Sequence, residues 1–344
     1  MTTASDPFSA SAFTTYGITS PSSLKPERPM LSRDADAMYW MARYVERAEH
    51  VARLLIVNSN LLIDVGDLAP ALQARHWQSL MTIMRLPELP EGSDIAHRVC
   101  QHLMFNPENP NSILSCLTRA RENARGIREN ISAEMWENLN TLYWSLNSDD
   151  APMRFEDSPD DLFRSVMIGS MLFQGLTDQT LAHDQRWLFT QLAKYLERTD
   201  MTCRIIQTKY DLLKANEQIF DSTLRNLHWM AVLRSCCSIE AYRQNNLGDM
   251  DPTRLAAFLI LERNFPRSVR FTTSGALAAI NAIRIGARGS AIDPAERILG
   301  RLDAQLEYVE LSEIITDGVS SYLHKIEASV LDAAAAVQRS YFMH

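Results

Sequence analysis

MARYVERAEHVARLL, residues 41–55, and LAKYLERTDMTCRII, residues 192–206, are the stretches on which the reading of this chain turns. Five of the fifteen aligned positions are identical (Ala, Tyr, Glu, Arg and Arg), and most of the others are same-class exchanges. On a helical wheel Met41, Tyr44, Ala48, Val51, Ala52 and Leu55 fall on one side. Arg43, Glu46, Arg47, Glu49, His50 and Arg53 gather on the other. Tyr195, Glu197, Arg198, Asp200 and Arg204 take the equivalent places in the second stretch. One amphipathic, charged helix is therefore written twice.

Outward from these helices the same order of landmarks returns. Tyr44 and Tyr195 are 151 residues apart, and Trp77 and Trp229 are 152 apart. Pro110 and Pro266, Ser112 and Ser268, and Arg128 and Arg284 are each 156 apart. So small a drift predicts an internal duplication whose period is far longer than that of solenoid repeats. Almost no segment alternates with period two, so strands are not expected. The expected fold is all-α, a large helical bundle of two duplicated halves with pseudo-two-fold symmetry. The first half spans 30–150 and the second 166–344, joined by an acidic, proline-bearing connector over 151–165. Residues 1–29, rich in Ser, Thr and Pro, are predicted to be a disordered tail. Ser32 is expected to cap the first long helix and Gly66 to close it, and Asn109 to cap a later helix with Pro110 at its first position.

Composition narrows the function. Of 344 residues 46% are hydrophobic and 22% charged, enough for a sizeable core. A net charge of -8 argues against nucleic acid as the partner. No apolar run reaches the length of a membrane span, and the opening residues lack the basic and apolar regions of a secretory signal. Cys100, Cys116, Cys203, Cys236 and Cys237 have no framework spacing and read as reduced thiols of a cytoplasmic protein, packed as small hydrophobes.

The charged faces admit two readings. Glu49–Arg53 and Asp200–Arg204 are i,i+4 pairs in the favourable order, which suits a solvated stripe. If the two helices instead face one another, Arg43, Tyr44, Glu46, Arg47, Glu49 and Arg53 would line one polar cleft with Tyr195, Glu197, Arg198, Asp200 and Arg204. Such a cleft would be a fold-specifying network or a ligand site. Arg267 and Arg270, beside Pro266 at a predicted helix N-terminus, are candidate anion ligands, against the plainer reading of capping and surface charge. A di-metal bundle site needs Glu-x-x-His on two helices. The run ERAEH has none, and Met201 stands where His50 has its counterpart, so no metal is expected. There is no GxSxG, P-loop or GxGxxG, and the other histidines, His228 among them, read as isolated packing or surface residues.

With LSRDADAMYWMARYVERAEHVARLL, NPNSILSCLTRARENARGIREN, YLERTDMTCRI and FLILERNFPRSV in order, the chain over about residues 30–340 resembles the Alpha-E family. The matching positions include Arg33, Tyr39, Trp40, Arg43, Glu46, Arg47 and Arg53, then Arg119, Glu122 and Arg128, then Glu197, Arg198, Arg204 and Arg267. Ala193-Lys194 stands where the family usually has Gly-Arg. The resemblance implies an all-helical protein encoded beside, or fused to, a circularly permuted ATP-grasp protein, often with a transglutaminase-like peptidase. That context implies a non-catalytic helical partner of an ATP-grasp amide or peptide ligase, binding the ligase or its substrate and needing no cofactor of its own. The alternative is an enzyme whose Glu/Arg cleft binds a carboxylate or phosphate substrate in amide-bond chemistry.

Overall fold

The computed structural model describes residues 30–65, 70–90, 92, 94–216, 222–245, 250–286 and 292–343. The tail expected over 1–29 and the closing Gly66 lie outside them. Among the described residues there are helices and no strands.

Fifteen α-helices follow in order: α1 (Ser32–Val65), α2 (Pro70–Ile83), α3 (Ile95–Phe105), α4 (Ile113–Gly126), α5 (Ala133–Leu146), α6 (Ala151–Asp157), α7 (Pro159–Thr180), α8 (Gln185–Ala215), α9 (Ser222–Ser235), α10 (Ile239–Asn245), α11 (Pro252–Leu261), α12 (Val269–Gly286), α13 (Pro294–Tyr308), α14 (Leu311–Asp317) and α15 (Val319–Val337). The two longest, α1 and α8, lie against each other at the centre. Around α1 pack α4, α7 and α9; around α8 pack α12, α15 and α2. Helix α5 sits on α4 and α7, and α13 sits on α12 and α15.

Surrounded on nearly every side, α1 and α8 bury apolar and charged faces alike. Met38, Met41, Val45, Val51 and Leu55 are fully buried, each aliphatic side chain contributing about 1.5–3 kcal/mol of transfer free energy. Leu192, Leu196, Cys203 and Ile206 do the same on α8. The wheel's charged side is buried too, because it faces the other long helix rather than water.

Local signals place the helix ends, with some shifts from expectation. Ser32 lies within the first turn of α1, whose first bonds return to the Leu31 carbonyl. Asn109 instead accepts from Asn111 N at 2.9 Å in a turn, and Ser112 caps α4 by accepting from Ser115 N at 3.2 Å. Ser268 caps α12 in the same way, accepting from Phe271 N at 3.1 Å. The stretch expected as a connector over 151–165 is helical instead, forming α6 and the start of α7. Pro152 and Pro159 sit in first turns, where proline's missing N–H costs nothing, so both helices form around them. Both α2 and α9 end in a left-handed residue that is not glycine, Arg85 and Cys237, each at φ 55°. Each ending closes with a 6→1 bond, Leu86 N to Met81 O and Ser238 N to Leu233 O.

Gly275 lets α12 approach α8. A Cβ there would stand 2.7 Å from Tyr195 Cε2, inside van der Waals contact. Gly275→Ala is expected to cost about 1–3 kcal/mol by overpacking, read as a lower midpoint in urea with an unchanged slope.

Candidate functional site: a buried glutamate–arginine seam

Where α1 meets α8, the Glu-Arg dipeptides of the two helices cross. Arg47 of α1 donates from Nε to Glu197 Oε1 at 2.6 Å and from Nη2 to Oε2 at 3.0 Å. Arg198 of α8 donates from Nε to Glu46 Oε1 at 2.6 Å and from Nη2 to Oε2 at 3.2 Å. Each glutamate thus receives a two-pronged guanidinium from the opposite helix, the geometry that makes arginine the residue for buried carboxylates.

Further arginines complete both ends. Arg43 reaches Glu197 at 2.7 Å and donates from Nη1 to the Tyr39 hydroxyl at 2.8 Å. Arg267, just ahead of the Ser268 cap of α12, donates to Glu49 Oε2 at 3.0 Å and stands 3.4 Å from Glu46 Oε1. Arg53 pairs with Glu49 along α1, and Gln174 of α7 donates to Glu46 Oε2 at 3.2 Å. Arg204 pairs with Asp200 at 2.5 Å and donates to the Ile83 carbonyl at 2.6 Å, satisfying a buried carbonyl left over at the C-terminal end of α2.

Pairing overcomes burial at the three glutamates. Burial alone would raise Glu197, but Arg47 and Arg43 outweigh it and hold the group well below the usual carboxylate range. Burial likewise opposes ionisation of Glu49, and Arg267 and Arg53 win there. Glu46 is lowered by Arg198 and Arg267 against its own burial. His50 is driven down by burial and by Arg267. Its Nδ1–H donates to the Glu46 carbonyl at 2.8 Å, and its Nε2 accepts from Arg267 at 3.0 Å, so the ring is neutral.

Glu46, Glu49 and His50 bring three metal-type donor atoms within 4.8 Å of one another. Their lone pairs are committed to Arg198, Arg267, Arg53 and Gln174. The Arg267 guanidinium supplies the positive charge that a cation would bring, so the donor set does not fit a metal.

Of the expected cleft residues, the structure joins Arg43, Glu46, Arg47, Glu49, Arg53, Glu197, Arg198, Asp200 and Arg204 in one layer of ion pairs. Both tyrosines flank it. Tyr44 stacks on Trp40 with centroids 5.5 Å apart, under the Arg47 and Arg119 guanidiniums, and Tyr195 packs against Phe271. The proposed anion pair separates: Arg267 enters the seam, whereas Arg270 pairs with Glu307 near the surface. Both are already neutralised by carboxylates, so the N-terminus of α12 is not the anion site the sequence suggested.

Sequence reasoning missed a second contact between the two sets of helices. His228 is not isolated; its Nε2 lies 2.8 Å from His76 Nε2, and its Nδ1 donates to the Leu224 carbonyl at 2.6 Å. Lys209 nearby donates to Ser79 Oγ at 2.8 Å. The signal was present as a repeated His-Trp dipeptide, at 76–77 and 228–229. Cys100, Cys116 and Cys236 are buried thiols pushed up to about 12, unsuited to nucleophilic work.

No helix among the described residues is long and apolar enough to cross a membrane. No solved structure matches the chain. An uncharacterized protein of Mycobacterium bovis is 22% identical over 316 residues, 85% of this chain. Two of Mycobacterium tuberculosis strains match to the same extent. The chain spans about a third of their length (34%). A family described as a predicted alpha-helical domain with a conserved ER motif matches residues 30–342, and with Glu46-Arg47 crossing Glu197-Arg198 at its centre, the chain belongs to that family, Alpha-E.

Proposed function

We propose that this protein is a non-catalytic helical partner of an ATP-grasp amide or peptide ligase, binding the ligase or presenting its substrate. The observation that carries this reading is the state of the seam. Glu46, Glu49 and Glu197 are each ionised and held by arginine, which leaves none of them able to take or give a proton near neutral pH. The Glu-Arg motif is accordingly a clamp between helices. The relatives are about three times as long, so in them the matching stretch shares its polypeptide with further sequence, which suits a domain that works beside another. The ATP-grasp protein supplies its own nucleotide chemistry, so a partner without a phosphate loop is coherent.

We also infer an internal duplication. Arg47 grips Glu197 while Arg198 grips Glu46, the i-to-j and j-to-i exchange of an isologous interface. The His76–His228 contact, the left-handed Arg85 and Cys237, and the caps Ser112 and Ser268 recur at offsets of 152, 152 and 156 residues. The offsets match those of the sequence landmarks.

The partnership is tested by mixing the purified chain with the circularly permuted ATP-grasp protein of the same genome and following size-exclusion elution. Co-elution is expected with a Kd of about 10 μM or tighter. Separate elution with both proteins at about 50 μM overturns the proposal.

A further inference from the structure

The two flanks of the seam differ. On the flank of Arg198, Gln174 and Arg267 fill the space against Glu46. On the flank of Arg43 there is a cavity of about 370 Å³, bounded by α1, the end of α2, α8 and α15. That volume is at the small end of ligand pockets and exceeds that of a single amino acid.

Four guanidiniums line the cavity: Arg43, Arg47, Arg85 and Arg204. Among the described residues three carboxylates meet them, Glu197, Asp200 and Glu327, and of these only Asp200 is part of the wall. One positive charge is left over in a protein whose overall charge is -8. Excess charge in a partly desolvated site calls for a counter-ion. The leftover charge is single, which suits a monoanion better than a phosphate dianion.

Donors are available in the right place. A guanidinium has five N–H groups. Arg47 spends three, on the two Glu197 oxygens and on Asn111 Oδ1 at 3.0 Å. Arg43 also spends three, two on Glu197 and one on Tyr39. Two N–H groups on each have no acceptor among the described residues. Arg85, in its left-handed turn, stands at the mouth with 45% of its side chain exposed. The rest of the wall is Tyr39, Trp40, Met84, Leu331, Ala334 and Ala335, with the uncharged amides of Asn111 and Gln338.

We propose that this cavity binds a monocarboxylate with an apolar body, the chemistry shared by a free aliphatic amino acid and the C-terminal residue of a peptide. The carboxylate meets the spare N–H groups of Arg43 and Arg47, and the body lies between Trp40 and the α15 wall. This goes beyond the ligase partnership and is tested on the purified chain alone, so the two fail separately.

Titration calorimetry, with tryptophan fluorescence as a second readout, compares N-acetyl-L-leucine, N-acetyl-L-leucinamide and inorganic phosphate. The acid is expected to bind at least about tenfold more tightly than the amide or phosphate. Gln338→Glu, which places a carboxylate at the cavity wall without touching the seam, is expected to abolish binding with Tm unchanged. Arg85→Gln is expected to weaken it severalfold. L-leucine and L-alanyl-L-leucine separate the two sources: preference for the dipeptide assigns a peptide terminus, and preference for leucine a free amino acid, either result upholding the site. Equal binding of acid and amide, tighter binding of phosphate, unaltered binding by the Gln338→Glu chain, or no saturation by about 10 mM acid overturns it.

Discussion

Glu197→Gln is expected to destabilise the fold by about 3–5 kcal/mol, because it leaves Arg43 and Arg47 buried without their common carboxylate. Gln preserves shape and one carbonyl acceptor, so the loss measures charge pairing rather than a cavity. At about 2.1 cal/mol/K per residue over the described chain, the fall in Tm is roughly 5–8 °C. Arg53→Ala is the informative comparison. Glu49 keeps Arg267 when Arg53 is gone, so that loss should stay near 1 kcal/mol or below. Calorimetry of the two variants beside the parent decides it; equal small losses would mean that the seam carries little of the fold.

Acidification is expected to act in two stages. His228 is lowered to about 4 by burial, opposed by its bond to the Leu224 carbonyl and aided by Lys209, and His76 is lowered further by burial, Lys209 and His228. Unfolded histidine titrates near 6.5. As pH falls below that value, the unfolded chain takes up protons that the folded pair refuses, so stability drops toward the folded values. At pH 5 the loss is roughly 2 kcal/mol for each histidine. Glu46, Glu49 and Glu197 are depressed in the folded state, so their contribution holds above about 4.5 and fades as pH falls through their folded values. Tm recorded from pH 7 to pH 3 should decline below 6.5 and steepen below 4.5. The His76→Gln/His228→Gln chain should lose most of the first decline, keeping the share that belongs to buried His50, and keep the second. A profile that does not change until pH 4.5 would refute the histidine assignment.

The helical class was legible because period and composition agree over long windows. The spacing of Met41, Ala48, Val51 and Leu55 leaves little room for any other element. Burial of the charged side was not legible. A wheel separates faces but cannot say whether Glu46 meets water or Arg198, which lies 152 residues away in the chain. Cap positions slipped by a few residues at Asn109 and Ser112, since both side chains can bond nearby backbone and only the turn geometry chooses. Arg85 could not have been picked from composition. Left-handed turns are usually announced by glycine, and here an arginine takes the strain while facing Glu327 and Asp200. The prolines at 152 and 159 misled because they start helices as readily as they end them.

The crossing of Arg47 with Glu197 also sets a timetable. These partners are 150 positions apart, and Glu46 and Arg198 are 152 apart. A ribosome adding about 5–20 residues per second needs roughly 8–30 s to make that interval. Throughout that wait the first long helix has its own Glu49–Arg53 pair but lacks the counter-charges of α8, so Glu46 and Arg47 stay hydrated. Docking therefore waits until the chain has been made past residue 215 of 344, when an already helical N-terminal portion gives up its water to the newly made α8.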